Sequence, residues 1–303
     1  MKKFLILYDC GTPRIFEEKD YNYVFRTAAH ATMDNVSLGR YLKAKNFKVD
    51  TINYINQDYA WGHDSLKDFQ LTAAQLFPEA KTQQDLRPKF GAGQYGTEIS
   101  SLLSKPATIT HSSLWGGDLQ SFILQSAPRG VMRRSQVILS AGDHVLPGLG
   151  QKMPDDVILG ARGAYGLMSP DTPLNRWWFK LYEDKYNTIP VQAPYRMVQA
   201  LLGLKLAVEK ATAANGGKKP NHEQLAAAMK NSSWESPAGM IRMTYGKGHQ
   251  AIQDTAIGKT KYNPAKKRVD IVDIIRFPAE CVNPPANISS EEWIKSGFKG
   301  AKC

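Results

Sequence analysis

The sequence predicts an α/β fold in which mostly parallel sheets are flanked by helices. Three observations carry this. Short apolar runs alternate with stretches whose apolar residues recur at helical spacing, the pattern of strand–helix–strand units. Three of the apolar runs end in polar and aromatic loops that lead into helices: residues 9–13 (DCGTP), 56–62 (NQDYAWG) and 114–118 (LWGGD). The 303 residues are long for one core and natural for two. In open α/β sheets, ligands bind outside the carboxyl ends of the strands, where such loops gather. Exposed Trp and Tyr there offer stacking area with one wet edge. The pattern favours a protein that holds a small molecule over one that transforms it.

Taken in order, residues 4–8 read as a strand, 32–44 as a helix with Met33, Val36, Leu38, Tyr41 and Leu42 on its apolar positions, and 49–55 as a strand. Residues 63–77 form a stronger helix, because Leu66, Phe69, Ala73, Leu76 and Phe77 repeat at its period. A short helix over 97–104, a strand over 108–114, a helix over 118–127 and short strands over 137–140 and 157–161 continue the alternation. After Ser169-Pro170 come an aromatic-rich helix (175–186), the longest helix (195–212, ended by Asn215-Gly216-Gly217) and a third (222–230). Strands over 240–245 and 269–276 precede a Pro-containing tail with a short helix near 291–295.

Hydrophobic residues make up 42%, enough for a packed core. No apolar run approaches the ~18 residues of a membrane span. Residues 1–3 resemble the charged start of an export signal, but Asp9 interrupts the apolar run that follows. The net charge of +11 raises nucleic-acid binding as a reading. The basic residues are scattered, and the densest group (Lys259, Lys261, Lys266, Lys267, Arg268) surrounds the turn at Asn263-Pro264. A basic surface and a solvated loop tip explain it, so no nucleic-acid partner is expected. The three cysteines, Cys10, Cys281 and Cys303, form no C-x-x-C pair. Cys281 and Cys303 either bridge across the tail in an oxidising compartment, worth roughly 3 kcal/mol in loop entropy, or stand as free thiols on a frayed end.

Residues 91–96 (GAGQYG), with Asp118 beyond, match the G-x-G-x-x-G dinucleotide fingerprint. The residues before Gly91 include Pro88, which suits no central strand, so a flexible loop is the better reading. Asp118 reads as a helix N-cap. The six histidines never fall at metal-ligand spacing. Ser112-Ser113 lacks the glycines of a nucleophile elbow, and Asp155-Asp156 sits in a turn. No catalytic residue, cofactor or metal is expected. Trp61 and Trp115 each neighbour a Gly just after a strand; packing explains each singly, whereas two at equivalent strand ends favour stacking on a ligand. Thr12 offers a hydroxyl and nearby backbone N–H groups for a carboxylate, or simply a turn before Pro13.

In order and spacing, residues 10–13, 23–27 (YVFRT), 59–62 (YAWG), 114–118, 122–125 (FILQ), 195–211, 236–239 (SPAG) and 248–252 (GHQAI) resemble the branched-chain amino-acid (Leu/Ile/Val-type) solute-binding proteins of ABC transporters. The resemblance implies a two-lobed, type I periplasmic-binding fold that closes by hinge motion on its ligand. It implies lobe 1 at 1–46 plus 170–253 and lobe 2 at 47–169 plus 254–303. Cys10, Gly11 and Thr12 would bind an α-carboxylate. Tyr59 and Trp61 would pack on the ligand, Trp115 and Gly117 would lie across the cleft, and Asp143 would take an ammonium group. The ligand would be an amino acid or small amide, the partners ABC permease subunits touched at the membrane surface, and the location periplasmic. The family begins upstream of the strand before Cys10, so an N-terminally shortened member with an incomplete lobe 1, left in the cytoplasm, is a further expectation. A cytoplasmic ligand sensor on the same fold and a nicotinamide-dependent enzyme using the Gly91 loop are the competing readings.

Overall fold

The structure is a computed structural model that describes residues 2–303. The chain runs β1 (Leu5–Leu7), α1 (Arg14–Glu17), β2 (Val24–Arg26), α2 (Ala31–Ala44), β3 (Thr51–Ile55), α3 (Ala60–Leu76), β4 (Lys81–Leu86) and α4 (Gly96–Ser104). It continues β5 (Ile109–Ser112), α5 (Gly116–Arg129), α6 (Val131–Arg134), β6 (Gln136–Leu139), α7 (Leu146–Leu149), β7 (Ile158–Gly160), α8 (Pro173–Tyr186) and α9 (Gln192–Ala214). Then follow α10 (His222–Met229), β8 (Ser233–Ser236), β9 (Gly239–Tyr245), β10 (Gln250–Ile252), β11 (Thr255–Asn263), β12 (Arg268–Phe277), α11 (Ala279–Val282) and α12 (Ser290–Lys295).

Two sheets make two lobes. The smaller has the order β1-β2-β10-β9-β8 and the larger β12-β11-β7-β6-β5-β3-β4. Each is mixed rather than purely parallel. β1 pairs β2 and β3 to β7 pair one another in parallel, whereas β8, β9, β11 and β12 pair antiparallel. In the parallel part, adjacent residues feed opposite faces. Ile138 and Ile158 pack with α2 and α3, while Leu139 and Leu159 pack with Phe122 and Ile99 on the other side. Strands covered on both faces therefore read as continuous apolar runs. The smaller sheet carries Phe25, Ile241 and Met243 against Ala207 of α9 and Met229 of α10.

The chain passes between the sheets three times: after β2, along α9, and between β10 and β11. The first passage comes before α2, not after residue 46. α2 packs on α3 and on β11 and β7 of the larger sheet, which moves this helix out of the stretch assigned to lobe 1. α8 sides with the larger lobe too, where Trp178 meets its core and Glu183 lies 3.4 Å from Arg268. The tail docks in that same lobe, with Trp293 and Cys281 buried beside α2 and α3. Cys281 and Cys303 are joined by a disulfide. No helix among the described residues is long and apolar enough to cross a membrane.

Candidate functional site

A cavity of about 450 Å³ lies between the lobes at the carboxyl ends of β1, β3, β5, β6 and β7. That volume is in the range of small-molecule sites. The loop after β1 supplies Asp9, Cys10, Gly11 and Thr12. Its path is set by Arg26, fully buried on β2, whose Nη1 donates to the carbonyls of Thr12 (2.6 Å) and Cys10 (3.1 Å). Gly11 is required by close approach: a Cβ there would sit 2.4 Å from the Trp61 ring. Thr12 Oγ1 is buried and finds no partner among the described residues.

Tyr59 and Trp61 come from the start of α3. The helix begins at Ala60, three residues earlier than its apolar period indicates, so Trp61 and Gly62 lie in its first turn rather than in a loop. The turn closes tightly, since a Cβ on Gly62 would lie 1.8 Å from the Gln57 carbonyl oxygen. Trp61 is 7% exposed, and its Nε1 donates to the Ser113 carbonyl at 3.0 Å. Trp115 caps α5 and stays 42% exposed, with its Nε1 donating to Tyr59 Oη at 2.5 Å. Phe90 completes an aromatic rim, 5.1 Å from Tyr59 and 6.0 Å from Trp115 between ring centres.

The structure thus gathers Cys10, Gly11, Thr12, Tyr59, Trp61 and Trp115 around one space. It does not bring Gly117 or Asp143 to the wall; Gly116 and His144 stand there instead. Asp143 is buried, with Oδ2 accepting from the Gln192 backbone N–H and Oδ1 2.8 Å from that side chain's amide. Asp118 is not a helix cap but lies inside the first turn of α5. Its carboxylate accepts from Gln57 Nε2 (2.6 Å) and from the amides of Gly91 (2.8 Å) and Gly93 (3.3 Å). Burial pushes Asp118 up, but these bonds outweigh it and hold the carboxyl below its usual value. The fingerprint-like loop is therefore tied down by a protein carboxylate, and it lies outside the cavity wall.

Sequence reasoning missed the charged part of the site. Arg162 follows β7, and Arg196 sits in the second turn of α9; their side chains are 9% and 4% exposed. Arg162 Nη1 donates to Asp9 Oδ1 at 2.9 Å, and its guanidinium stacks 4.7 Å above the Trp61 ring. Arg196 Nη1 lies 2.6 Å from the same oxygen but is not aligned for a hydrogen bond, so this is a charge contact only. Asp9 is 45% exposed and is shared by both cations, which leaves one positive charge unmatched there. Behind Arg162, Asp34 stands with its Oδ2 3.9 Å from Nε and with neither oxygen hydrogen-bonded among the described residues. The contact suggests an ion pair, but burial dominates and pushes the Asp34 carboxyl up to about 8. His144 is pushed down to about 4 by burial and is neutral near pH 7. Arg162 also holds φ at 57°, a left-handed backbone that costs a non-glycine residue about 1 kcal/mol. The strand-end rule applied to β7 would have found Arg162. Arg196 gave no such signal, being one polar residue in an amphipathic helix. Among the described residues no His, Cys, Asp and Glu group is arranged to hold a metal.

A family model described as periplasmic binding protein matches residues 3–267. No curated relative matches the sequence. Several solved structures share the fold. A solute-binding protein of an ABC transporter from Rhodopseudomonas palustris BisB5, in complex with 3,4-dihydroxybenzoic acid, superposes with a TM-score of 0.74 at 21% identity, covering 92% of this chain and 73% of its own. A second R. palustris solute-binding protein, in complex with 4-hydroxybenzoate, gives 0.76 at 18% identity, covering 92% and 73%. An ABC-type branched-chain amino acid transporter protein from R. palustris CGA009 gives 0.70 at 23% identity, covering 94% and 74%.

Proposed function

Because the chain belongs to the periplasmic binding protein family, we propose that it is the substrate-binding component of an ABC importer and holds a small carboxylate with a flat apolar body between its lobes. The observation that carries this is the pairing of two buried guanidiniums, Arg162 and Arg196, with aromatic walls from Tyr59, Trp61 and Trp115. Hydrogen bonds from charged donors to a carboxylate contribute roughly 1.5–3 kcal/mol each. An aromatic acid fits better than an amino acid. An ammonium group needs a free carboxylate, but Asp143 is turned into the protein and Asp9 already serves two arginines. The benzoates bound by two structural neighbours support this class; a third neighbour is a branched-chain amino acid transporter protein. On this reading Cys10, Gly11 and Thr12 form the loop that contacts the carboxylate, and ligand is released unchanged to permease subunits. The lobe division supports closure by hinge motion, and the Cys281–Cys303 bridge supports an oxidising, periplasmic location.

A melting screen against benzoate, 4-hydroxybenzoate, leucine and benzamide tests the reading. Ligand at 100 times its dissociation constant should stabilise the protein by about 2.7 kcal/mol. The aromatic acids should raise Tm in the native chain and lose that effect in Arg196→Leu. Stabilisation by leucine alone, or an Arg196→Leu response equal to the native one, would overturn it.

A further inference from the structure

The network of Asp143, His144 and Gln192 beside the cavity leaves one arrangement of protons. The backbone N–H of Gly116 donates to His144 Nε2 at 2.7 Å. A backbone amide can only donate, so Nε2 is the bare nitrogen and the ring proton sits on Nδ1. Nδ1 lies 2.9 Å from one terminal atom of the Gln192 amide, and Asp143 Oδ1 lies 2.8 Å from that same atom. Amide nitrogen and oxygen have nearly the same shape, and their partners decide which is which. With Nδ1 donating, the shared atom is the oxygen. An oxygen facing Asp143 Oδ1 at that distance requires a proton between them, and an ionised carboxylate has none. Asp143 Oδ2 accepts from the Gln192 backbone at 2.8 Å, so the proton is on Oδ1.

We infer that Asp143 is a neutral carboxylic acid and a positioning residue: it fixes His144 as the Nδ1–H tautomer, fastens Gly116 and the adjoining Trp115 wall, and turns the Gln192 amide nitrogen toward the cavity. Gln192 lines that cavity, and the far end of its amide has no protein partner among the described residues. The value of that NH₂ as one more donor to an anion rests on the carboxylate reading; the proton on Asp143 does not. The charged and titratable groups facing Asp143 are Arg196 and Tyr195 from α9, Asp34 from α2 and neighbouring His144, which itself feels Arg162 and Arg196. Burial lifts the carboxyl to about 7, outweighing the hydrogen bonds it accepts from the Gln192 and His144 backbones and the charge of Arg196, all of which favour the ionised form. Loss of the proton above that pH turns the amide over and sets N–H against N–H at Nδ1. The ring must then shift its proton to Nε2, where it opposes Gly116 and frees the Trp115 wall.

The test is nitrogen-15 NMR of the histidine rings in the full chain, with His144 assigned through His144→Gln. At about pH 5.5 His144 should show the Nδ1–H signature, and this should give way by about pH 9. Asp143→Asn, which keeps shape and a donor but cannot ionise, should hold the low-pH signature throughout. Acrylamide quenching of Trp115, read against Trp115→Phe, should rise with pH in the native chain and stay flat in Asp143→Asn. An Nε2–H tautomer at low pH, a native spectrum that does not move, or an Asp143→Asn series identical to a moving native one overturns the proposal. Should Asp143→Asn not fold, the native pH series decides alone. Failure of every acid to bind would count against the carboxylate reading and leave this result standing.

Discussion

At the scale of single residues, the site depends on tight contacts and on burial. Gly11→Ala adds a methyl where the Trp61 ring already stands, so the ring or the loop must move. Overpacking of this kind costs about 1–3 kcal/mol; urea unfolding should show that loss, together with weakened binding of 4-hydroxybenzoate. Asp34 makes a prediction with a definite sign. Its folded pKa of about 8 lies above the ordinary 3.8, so between these values the folded chain keeps a proton that the unfolded chain has released. Its contribution is harmless below about pH 4 and becomes increasingly destabilising as pH rises toward 8. Asp34→Asn should therefore gain stability over the native chain as pH rises through that window, on the order of a few kcal/mol at most. Unfolding free energies at the two ends that differ by a constant amount would contradict it. The residues that were legible in the sequence are the aromatic and glycine positions, because a strand end followed by Gly and Trp has a local meaning. Arg162, Arg196 and Asp9 meet only in three dimensions, from segments 34 and 153 residues apart, and no spacing rule joins them.

At the scale of elements, the sequence was read best where periodicity is long. α2, α3, α4, α8, α9 and α10 lie close to their expected spans, since core-facing residues recur every three or four positions. Four helix starts lie two or three residues earlier than the apolar rhythm indicates, three at α3 and α9 and two at α5 and α8, because their first turns carry Gly, Ala, Pro or polar residues without that rhythm. β4 (KTQQDL) went unseen because it is a mostly exposed edge strand with no apolar alternation. β2, β8 and β10 have only three or four residues each. The basic cluster spreads along β11, which pairs with β12 as far as Asn263, and only residues 264–267 form a turn. The tail belongs to this scale too. Its disulfide closes a sequence separation of 22, and Trp293 lies within that span, buried in the larger lobe's core. Cys281→Ser with Cys303→Ser should lower stability by roughly 3 kcal/mol. Denaturation with and without reductant measures it, and reductant should leave the double variant unaffected.

At the scale of the whole molecule, two lobes meet at a cavity and at a polar cluster on the crossing segments. Gln199 Nε2 donates to Gln253 Oε1 at 2.7 Å, and Tyr165 Oη reaches the same oxygen at 3.1 Å. These three residues come from α9, from the segment between β10 and β11, and from the loop after β7. On the proposed function, they mark where rotation would be absorbed, and saturating 4-hydroxybenzoate should shrink the radius of gyration measured by solution X-ray scattering. An unchanged radius with bound ligand would mean that the lobes hold one arrangement. The resemblance in the sequence announced two lobes, but the passage before α2 was misplaced because α2 follows β2 directly and its destination depends on what it packs against.

The triple passage between sheets also governs the order in which the protein can be built. The smaller sheet cannot close until β10 joins β2 across more than two hundred intervening residues, and the larger waits for β12. Neither half is contiguous, so a chain emerging from the ribosome holds no finished lobe until almost all of it has been made. Contacts of such long sequence separation form slowly. A nascent chain of this design completes neither sheet until its late strands have been made.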